Sequence, residues 1–291
     1  MEMQYGSSIA MYIALKRMGK KVDVILPEYP KCYEFLPCIT EAKKEKSQEK
    51  YDLAIALDCS DIKRLNGFSD CFENANSRIV IDHHGSNTMF GDDNFVNPVS
   101  PACSEILIIV LEYIGVNIDK EIGTCLLTGI ITDTGGFKYS NVTSDTFEFV
   151  AELLKKGVNV SNVYKMAMQI ISRPSFELRK IAINRMEFLE EGKITFTYIT
   201  TDEMKKLGAG IGDHDGIVEI GRDVEGVEVS IFLRQTETGY KASLRSNGKI
   251  NVADACLMLG GGGHPFAAGC NLEMRLEQAK EKIISQIKRF L

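Results

Sequence analysis

No Cys-x-x-Cys pair occurs among the eight cysteines of this 291-residue chain, which excludes a zinc ribbon and a thioredoxin-type redox motif. Cys59, Cys103, Cys125 and Cys256 lie in apolar stretches, where a thiol acts as a small hydrophobe of a reduced protein. Apolar runs such as Ile106–Leu111 fall far short of the roughly 20 residues of a membrane helix. The opening Met1-Glu2-Met3-Gln4-Tyr5 has neither a basic nor a hydrophobic leader region, so the expectation is a cytoplasmic protein without a membrane partner. Basic excess is also missing. With 34 Lys and Arg against 40 Asp and Glu, the net charge is −6, which argues against a broad cationic grip on long duplex nucleic acid. A small phosphorylated ligand held by a few placed groups is not excluded.

The hydrophobic share of 44% supplies ample core, and the length suits two domains. In the first half, Lys21–Leu26, Tyr51–Asp58 and Arg78–Asp82 read as strands buried on both faces. They alternate with helical spacings over Ser7–Met18, Ser100–Tyr113 (Ser cap, Pro at the first position), Lys120–Ile131 and Ser144–Lys156. That alternation predicts a parallel α/β sheet. A long connector helix is expected from Pro174 to about Glu191, ended by Gly192. Beyond it, Lys193–Thr200, Val227–Arg234 and Tyr240–Arg245 alternate with period two, the last two joined as a hairpin, and an amphipathic helix runs from Glu273 to the end. The fold class is α/β: a parallel-sheet domain over 1–160, a helical connector over 161–192 and a smaller α+β domain over 193–291.

Two of only four histidines are adjacent, in Asp82-His83-His84 at the C-terminal end of a predicted strand, the sheet edge where open parallel sheets bind ligands. Asp58 also ends a strand, and Asp133 lies where a helix runs into Gly135-Gly136. Either acid alone reads as a cap or turn residue. Three carboxylates and an imidazole together suit Mn²⁺ or Mg²⁺ better than Zn²⁺. A second constellation is Gly260–Gly263 followed by His264, where backbone N–H groups can converge on an anion and a helix over Pro265–Ala268 would add its N-terminal dipole. No Lys-Ser/Thr follows, so it is not a P-loop. Arg245-Ser246-Asn247 upstream favours a phosphate site over a flexible loop. His214 reads as a surface-turn histidine.

Leu57-Asp58, Asp82-His83-His84 and Thr132-Asp133-Thr134-Gly135 resemble, in that order, the DHH phosphoesterase superfamily. Leu244-Arg245-Ser246 and Gly260–Gly269 resemble the DHH-associated C-terminal domain. With Asn87-Thr88 and Gly91 after the histidines, the chain is most similar to the bifunctional oligoribonuclease and pAp phosphatase group.

The resemblance implies two Mn²⁺ ions, with Mg²⁺ as the other choice, and a metal-bound hydroxide attacking phosphorus. It implies Asp58 bridging the ions, His83 and Asp133 completing one site, Asp82 orienting the His83 imidazole, and His84 facing the substrate. Arg245, Ser246, the backbone of Gly261, Gly262 and Gly263, and His264 would hold the nucleotide across an interdomain cleft. The implied substrates are short oligoribonucleotides and the 3′-phosphate of adenosine 3′,5′-bisphosphate. The alternatives are a cyclic or linear dinucleotide phosphodiesterase and a catalytically silent nucleotide-binding module. The implied partner is a short oligonucleotide or a small phosphorylated nucleotide, with a second copy of the chain left open. One superfamily motif, His-x-x-x-Asp-x-Asp ahead of the Gly6-Ser7 helix start, is not matched: Met3 stands at its last Asp and Glu2 is out of register. A start at an internal Met is the expectation here, ahead of a true loss, and either leaves a second metal poorly ligated.

Overall fold

The computed structural model describes residues 4–26, 28–48, 50–65 and 67–291, so Glu2 and Met3 lie outside the described residues. Two compact units divide between Ile170 and Ile171. Among the described residues no helix is long and apolar enough to cross a membrane.

The first unit carries helices α1 (Gln4–Arg17), α2 (Ser69–Glu73), α3 (Cys103–Tyr113), α4 (Lys120–Asp133), α5 (Ser144–Lys155) and α6 (Val160–Tyr164). Strands β1 (Leu53–Leu57), β2 (Ser77–Asp82) and β3 (Asp93–Val96) form a parallel sheet in that order. Val80 and Ile81 of β2 are buried, as the Ile-Val-Ile run requires of a central strand. Leu107 and Leu111 of α3 and Ile122, Leu126, Leu127, Ile130 and Ile131 of α4 are fully buried with Ile9 of α1. Each such side chain stabilises the fold by about 1.5–3 kcal/mol.

Two expectations for this unit are corrected, and one strand is added. Lys21–Leu26 is not a sheet strand: it makes only an isolated parallel bridge, Ile25 with Lys43, through Leu26 N–H to Lys43 O and Lys43 N–H to Val24 O. Helix α3 starts at Cys103 behind Ala102, and Ser100 donates its hydroxyl to the Ala102 carbonyl rather than capping the helix. Strand β3 was not foreseen, because Asp93-Asn94-Phe95-Val96 has turn-forming residues at its start and burial only on alternate positions.

The second unit holds α7 (Arg173–Asn184), α8 (Thr201–Leu207), α9 (Ile217–Arg222), α10 (Val252–Leu257) and α11 (Leu276–Ile287). Its strands are β4 (Glu187–Leu189), β5 (Ile194–Ile199), β6 (Val229–Gln235), β7 (Tyr240–Ser246), β8 (Gly262–His264) and β9 (Ala267–Leu272), with sheet order β4-β5-β6-β7-β9-β8. The expected connector helix is shorter than its pattern. Ser172 caps it and Pro174 sits in its first turn, but it stops at Asn184. Glu187–Leu189 then pairs antiparallel with β5 through a turn in which Glu190, Glu191 and Gly192 all have positive φ. Tyr240, Ala242 and Leu244 of β7 are buried, whereas Lys241 is exposed and Ser243 and Arg245 are half-buried, so Arg245 lies on the opposite face, toward α9.

Helices α1 and α4 meet at backbone distance. A Cβ on Gly6 would lie 2.4 Å from the Cys125 carbonyl and 2.8 Å from the Gly129 nitrogen. Neither atom can rotate aside, so Gly6→Ala should push the helices apart. We expect a loss of roughly 1–3 kcal/mol, read as a lower urea midpoint at unchanged slope. An unshifted midpoint would mean that the contact is not tight in solution.

Candidate active site

Strands β1 and β2 end side by side, and their exits place the polar residues. Asp58 directly follows β1, its N–H donating to the Ile81 carbonyl at 3.0 Å, with φ +53°. A left-handed conformation is uncommon for a non-glycine residue and marks a position that the surroundings over-determine. Asp82 is the last residue of β2 and is fully buried. His83 and His84 leave the strand together, their rings 4.7 Å apart. Asp133 closes α4, and its carboxylate comes within 3.9 Å of His83 Nε2. Asp58, Asp82, His83 and His84 each bring a ligand atom within 4.8 Å of one another.

Hydrogen bonding divides these groups into those already used and those open to an ion. Asp82 Oδ1 accepts from the His83 backbone N–H (2.8 Å) and lies 2.7 Å from His84 Nδ1, while Oδ2 accepts from Asn87 Nδ2 (2.6 Å). Burial alone would raise the Asp82 pKa, but these donors hold it below the usual carboxylate value. The expected role of Asp82 is thereby corrected: it orients the His84 ring, whereas His83 Nδ1 faces the Ser100 carbonyl at 3.3 Å. A carbonyl only accepts, so that contact puts the neutral His83 proton on Nδ1 and turns the Nε2 lone pair inward. There it faces Asp58 Oδ1 at 3.3 Å and Asp133 Oδ2 at 3.9 Å. Asp58 Oδ1 and Asp133 Oδ1 are buried and accept no hydrogen bond.

Acceptors gathered around acceptors call for a cation. For the His83 imidazole, burial disfavours charge, yet the Asp58 carboxylate 3.3 Å away and the fields of Asp133 and Asp82 win, and its pKa is pushed up to about 9. Burial, reinforced by the Asp58 charge, drives the Asp133 carboxyl well above its ordinary value. Asp58, His83 and Asp133 therefore fit a divalent ion bound by oxygen and one nitrogen. Below them the buried Cys103 thiol donates to the Ile81 carbonyl. Asn87 and the Ser100 carbonyl are supporting groups whose positioning roles pattern reading did not supply. Asn87, three residues after His84, was the one visible in sequence.

In the second unit, the ladder aligns Arg245 of β7 with Ala267 of β9, and Ala267 with His264 of β8. Directly opposed residues share a face, so Arg245 and His264 flank one small alanine. Arg245 is clamped from behind, Nε donating to Glu219 Oε1 at 2.8 Å and Nη1 to the Leu244 carbonyl at 3.1 Å. Glu219 was not foreseen. Ser246 is buried and its hydroxyl accepts from the Gly248 N–H, a turn-forming contact.

The glycine run differs from the expected anion nest. Gly260 and Gly261 donate their N–H groups to the carbonyls of Leu257 and Cys256, terminating α10. Gly262, Gly263 and His264 are strand β8, and no helix spans Pro265–Ala268. The glycines serve close packing instead: a Cβ on Gly261 would lie 2.2 Å from the Gly269 carbonyl.

The DHH family, N-terminal domain, matches residues 4–130, and the DHHA1 domain matches residues 192–291. A bifunctional oligoribonuclease and PAP phosphatase NrnA of Thermus thermophilus is 34% identical over 291 residues, covering 98% of this chain and 86% of its own. A probable bifunctional oligoribonuclease and PAP phosphatase NrnA of Streptococcus mutans is 28% identical over 242 residues, covering 82% and 75%. The solved structure of an exopolyphosphatase-related protein from Bacteroides fragilis superposes with a TM-score of 0.90 at 26% identity, covering 98% of this chain and 88% of that one.

Because His83 stays protonated up to about 9 without metal, an entering ion must displace its proton. Calorimetric titration of Mn²⁺ into metal-free protein at neutral pH, in buffers of different ionisation enthalpy, should reveal proton release and an affinity that rises with pH. In the metal-free protein the raised pKa stabilises the fold fully below the ordinary value near 6.5, and this contribution is lost as pH rises through about 9. Asp58→Ala should weaken Mn²⁺ binding beyond the roughly 10–100-fold typical of a lost supporting residue. Binding without proton release, or unchanged in Asp58→Ala, would refute this ligand set.

Proposed function

The chain belongs to the DHH family, carrying that family's N-terminal domain and a DHHA1 domain, and on this premise we propose that it is a metal-dependent phosphoesterase of small nucleotides. Its substrates are short oligoribonucleotides and the 3′-phosphate of adenosine 3′,5′-bisphosphate, the activities for which its relative from Thermus thermophilus is named. The observation that carries the reading is the convergence of the Asp58 and Asp133 carboxylates on His83 Nε2, each carboxylate holding a buried oxygen, Oδ1, that accepts no hydrogen bond. Mn²⁺ is the preferred ion and Mg²⁺ the second choice, since oxygen donors predominate. Once bound, the ion would supply a water of lowered pKa, hence a hydroxide nucleophile for phosphorus at neutral pH.

The chain's own groups do the rest. Asp58, His83 and Asp133 hold the ion, with the Ser100 carbonyl fixing the His83 tautomer. Asp82 anchors His84 through Nδ1, so that the ring keeps one orientation toward a phosphoryl oxygen. Arg245 and His264 bind the nucleotide, and the Glu219 clamp holds the guanidinium in one rotamer, cutting the entropy lost on binding. The net charge of −6 suits a small ligand held by a few placed groups better than a long duplex held along a cationic surface.

The test is turnover of a labelled RNA dinucleotide and of pAp with Mn²⁺, beside a chromogenic phosphodiester without a nucleoside. Arg245→Ala should raise KM for the dinucleotide roughly 10-fold, the value of one lost charge-assisted bond. The chromogenic ester should suffer much less, and Mn²⁺ affinity should not change. Equal losses on both substrates would remove Arg245 from nucleotide recognition.

A further inference from the structure

Helices cover only part of the sheet face on which Arg245 lies. Over β5 and β6, Ile199 and Phe232 pack with Leu178 and Ala182 of α7 and with Ile217 and Val218 of α9. Over β7 and β9 the face is open: Lys241 and Asn271 are exposed, and Ser243, Arg245, Ala267 and Gly269 are half-buried. The ladder sorts these residues into rows. Arg245 lies opposite Ala267, Ser243 opposite Gly269, and Lys241 opposite Asn271. On its other side Lys241 is directly opposed to Arg234 of β6.

Two cations thus face each other across a ladder, a pairing that destabilises a sheet. Arg185, Arg222 and Arg245 each have an acidic partner, in Glu203, Asp223 and Glu219. Arg234 has no such partner among the described residues, and its buried Nε makes no hydrogen bond. With Arg245 balanced by Glu219, the excess positive charge on this face sits at Arg234 and Lys241. Lys241 is four residues from Arg245 along β7, about 13 Å at the rise of a strand. Between them lie the Ser243 hydroxyl and the bare backbone of Gly269, where a Cβ would meet the Ala242 carbonyl at 2.8 Å. No side chain larger than serine stands in the way on β7 and β9.

We propose that Arg234 and Lys241 form a second phosphate site, which holds one phosphate of an oligoribonucleotide while Arg245 engages another. An anion between the two cations removes their repulsion, and the Asn271 amide beside Lys241 offers a neutral donor. Neighbouring phosphates of one strand lie closer together than the two sites. The second site is therefore reached only by a strand of several nucleotides, and a dinucleotide or adenosine 3′,5′-bisphosphate uses Arg245 alone. Phosphate contacts carry no sequence information, so the row reads length and not base identity. This assignment rests on the reading of Arg245 as a nucleotide-binding residue.

Equilibrium binding of an RNA dinucleotide and an RNA tetranucleotide to the full chain, with EDTA to stop turnover, tests it. Wild type should bind the tetranucleotide more tightly and with a steeper dependence on salt. Lys241→Glu sets an acid opposite Arg234, a pairing that favours the sheet, so the fold is kept while the anion site is lost. It should weaken tetranucleotide binding roughly 10-fold or more, the value of a lost charge-assisted bond. Dinucleotide binding should stay at the wild-type level, which also reports an intact fold. Lys241→Ala should lower the salt slope for the tetranucleotide by about one. Arg245→Ala separates the two levels: if it weakens both ligands while Lys241→Glu matches wild type on both, the second site is overturned and the nucleotide-site reading stands. Equal wild-type affinity for the two lengths also overturns the second site. If wild type binds neither ligand, or neither variant alters binding, both readings fall.

Discussion

A nitrogen lone pair directed at two buried carboxylates is the constraint on which the N-terminal unit turns. His83 Nε2, Asp58 and Asp133 are held together by covalently distant elements: the exit of β2, the exit of β1 and the end of α4. Without a positive charge among them the arrangement is repulsive, since like charges in a poorly solvated place cannot all ionise. A proton on His83 relieves it in part, and a divalent cation relieves it more fully. Burial that is costly for folding is thus what a bound cation would relieve, and the left-handed backbone of Asp58 is a further cost accepted at the same place.

Holding repelling groups in place demands rigid supports, and the packing supplies them. Asp133 ends a helix whose apolar residues are almost all buried and whose backbone touches α1 through Gly6 and Gly129. The next turn is locked by Thr134, whose hydroxyl donates to the Ile130 carbonyl and accepts from the Phe137 N–H. Asn87 bridges Asp82 to the Cys59 carbonyl beside Asp58, so the loop after the histidines is tied to both strand ends. These contacts leave the site little room to collapse, as expected of a centre prepared for its ion.

The C-terminal unit solves a different problem, presenting a few groups to solvent without losing the sheet. Alternation along β7 sends Leu244 to one face and Arg245 to the other, toward α9, and the clamp by Glu219 and the Leu244 carbonyl fixes what would otherwise be a mobile side chain. The glycines between Cys256 and His264 let α10 end, let β8 pass against β9, and keep that edge thin. Their value is steric closeness rather than a cradle of free N–H groups.

By itself the sequence determined the α/β character of the first unit, the strand ends carrying Asp58 and Asp82-His83-His84, the helix ending near Asp133, and the period-two strands of the second unit. Those features are local: apolar runs, caps and alternation are written in neighbouring residues. Tertiary structure decided the rest. Lys21–Leu26 has strand composition yet gains only one bridge, because a strand exists only where a partner edge lies beside it. The end of the connector pattern became β4 because β5 offered an edge, and turn geometry at Glu190–Gly192 took precedence over helical spacing. Which imidazole Asp82 orients, which carbonyl holds His83, and that Glu219 stands behind Arg245 depend on contacts between residues far apart in the chain. Spacing along a sequence carries no record of those distances; only the packed chain sets them.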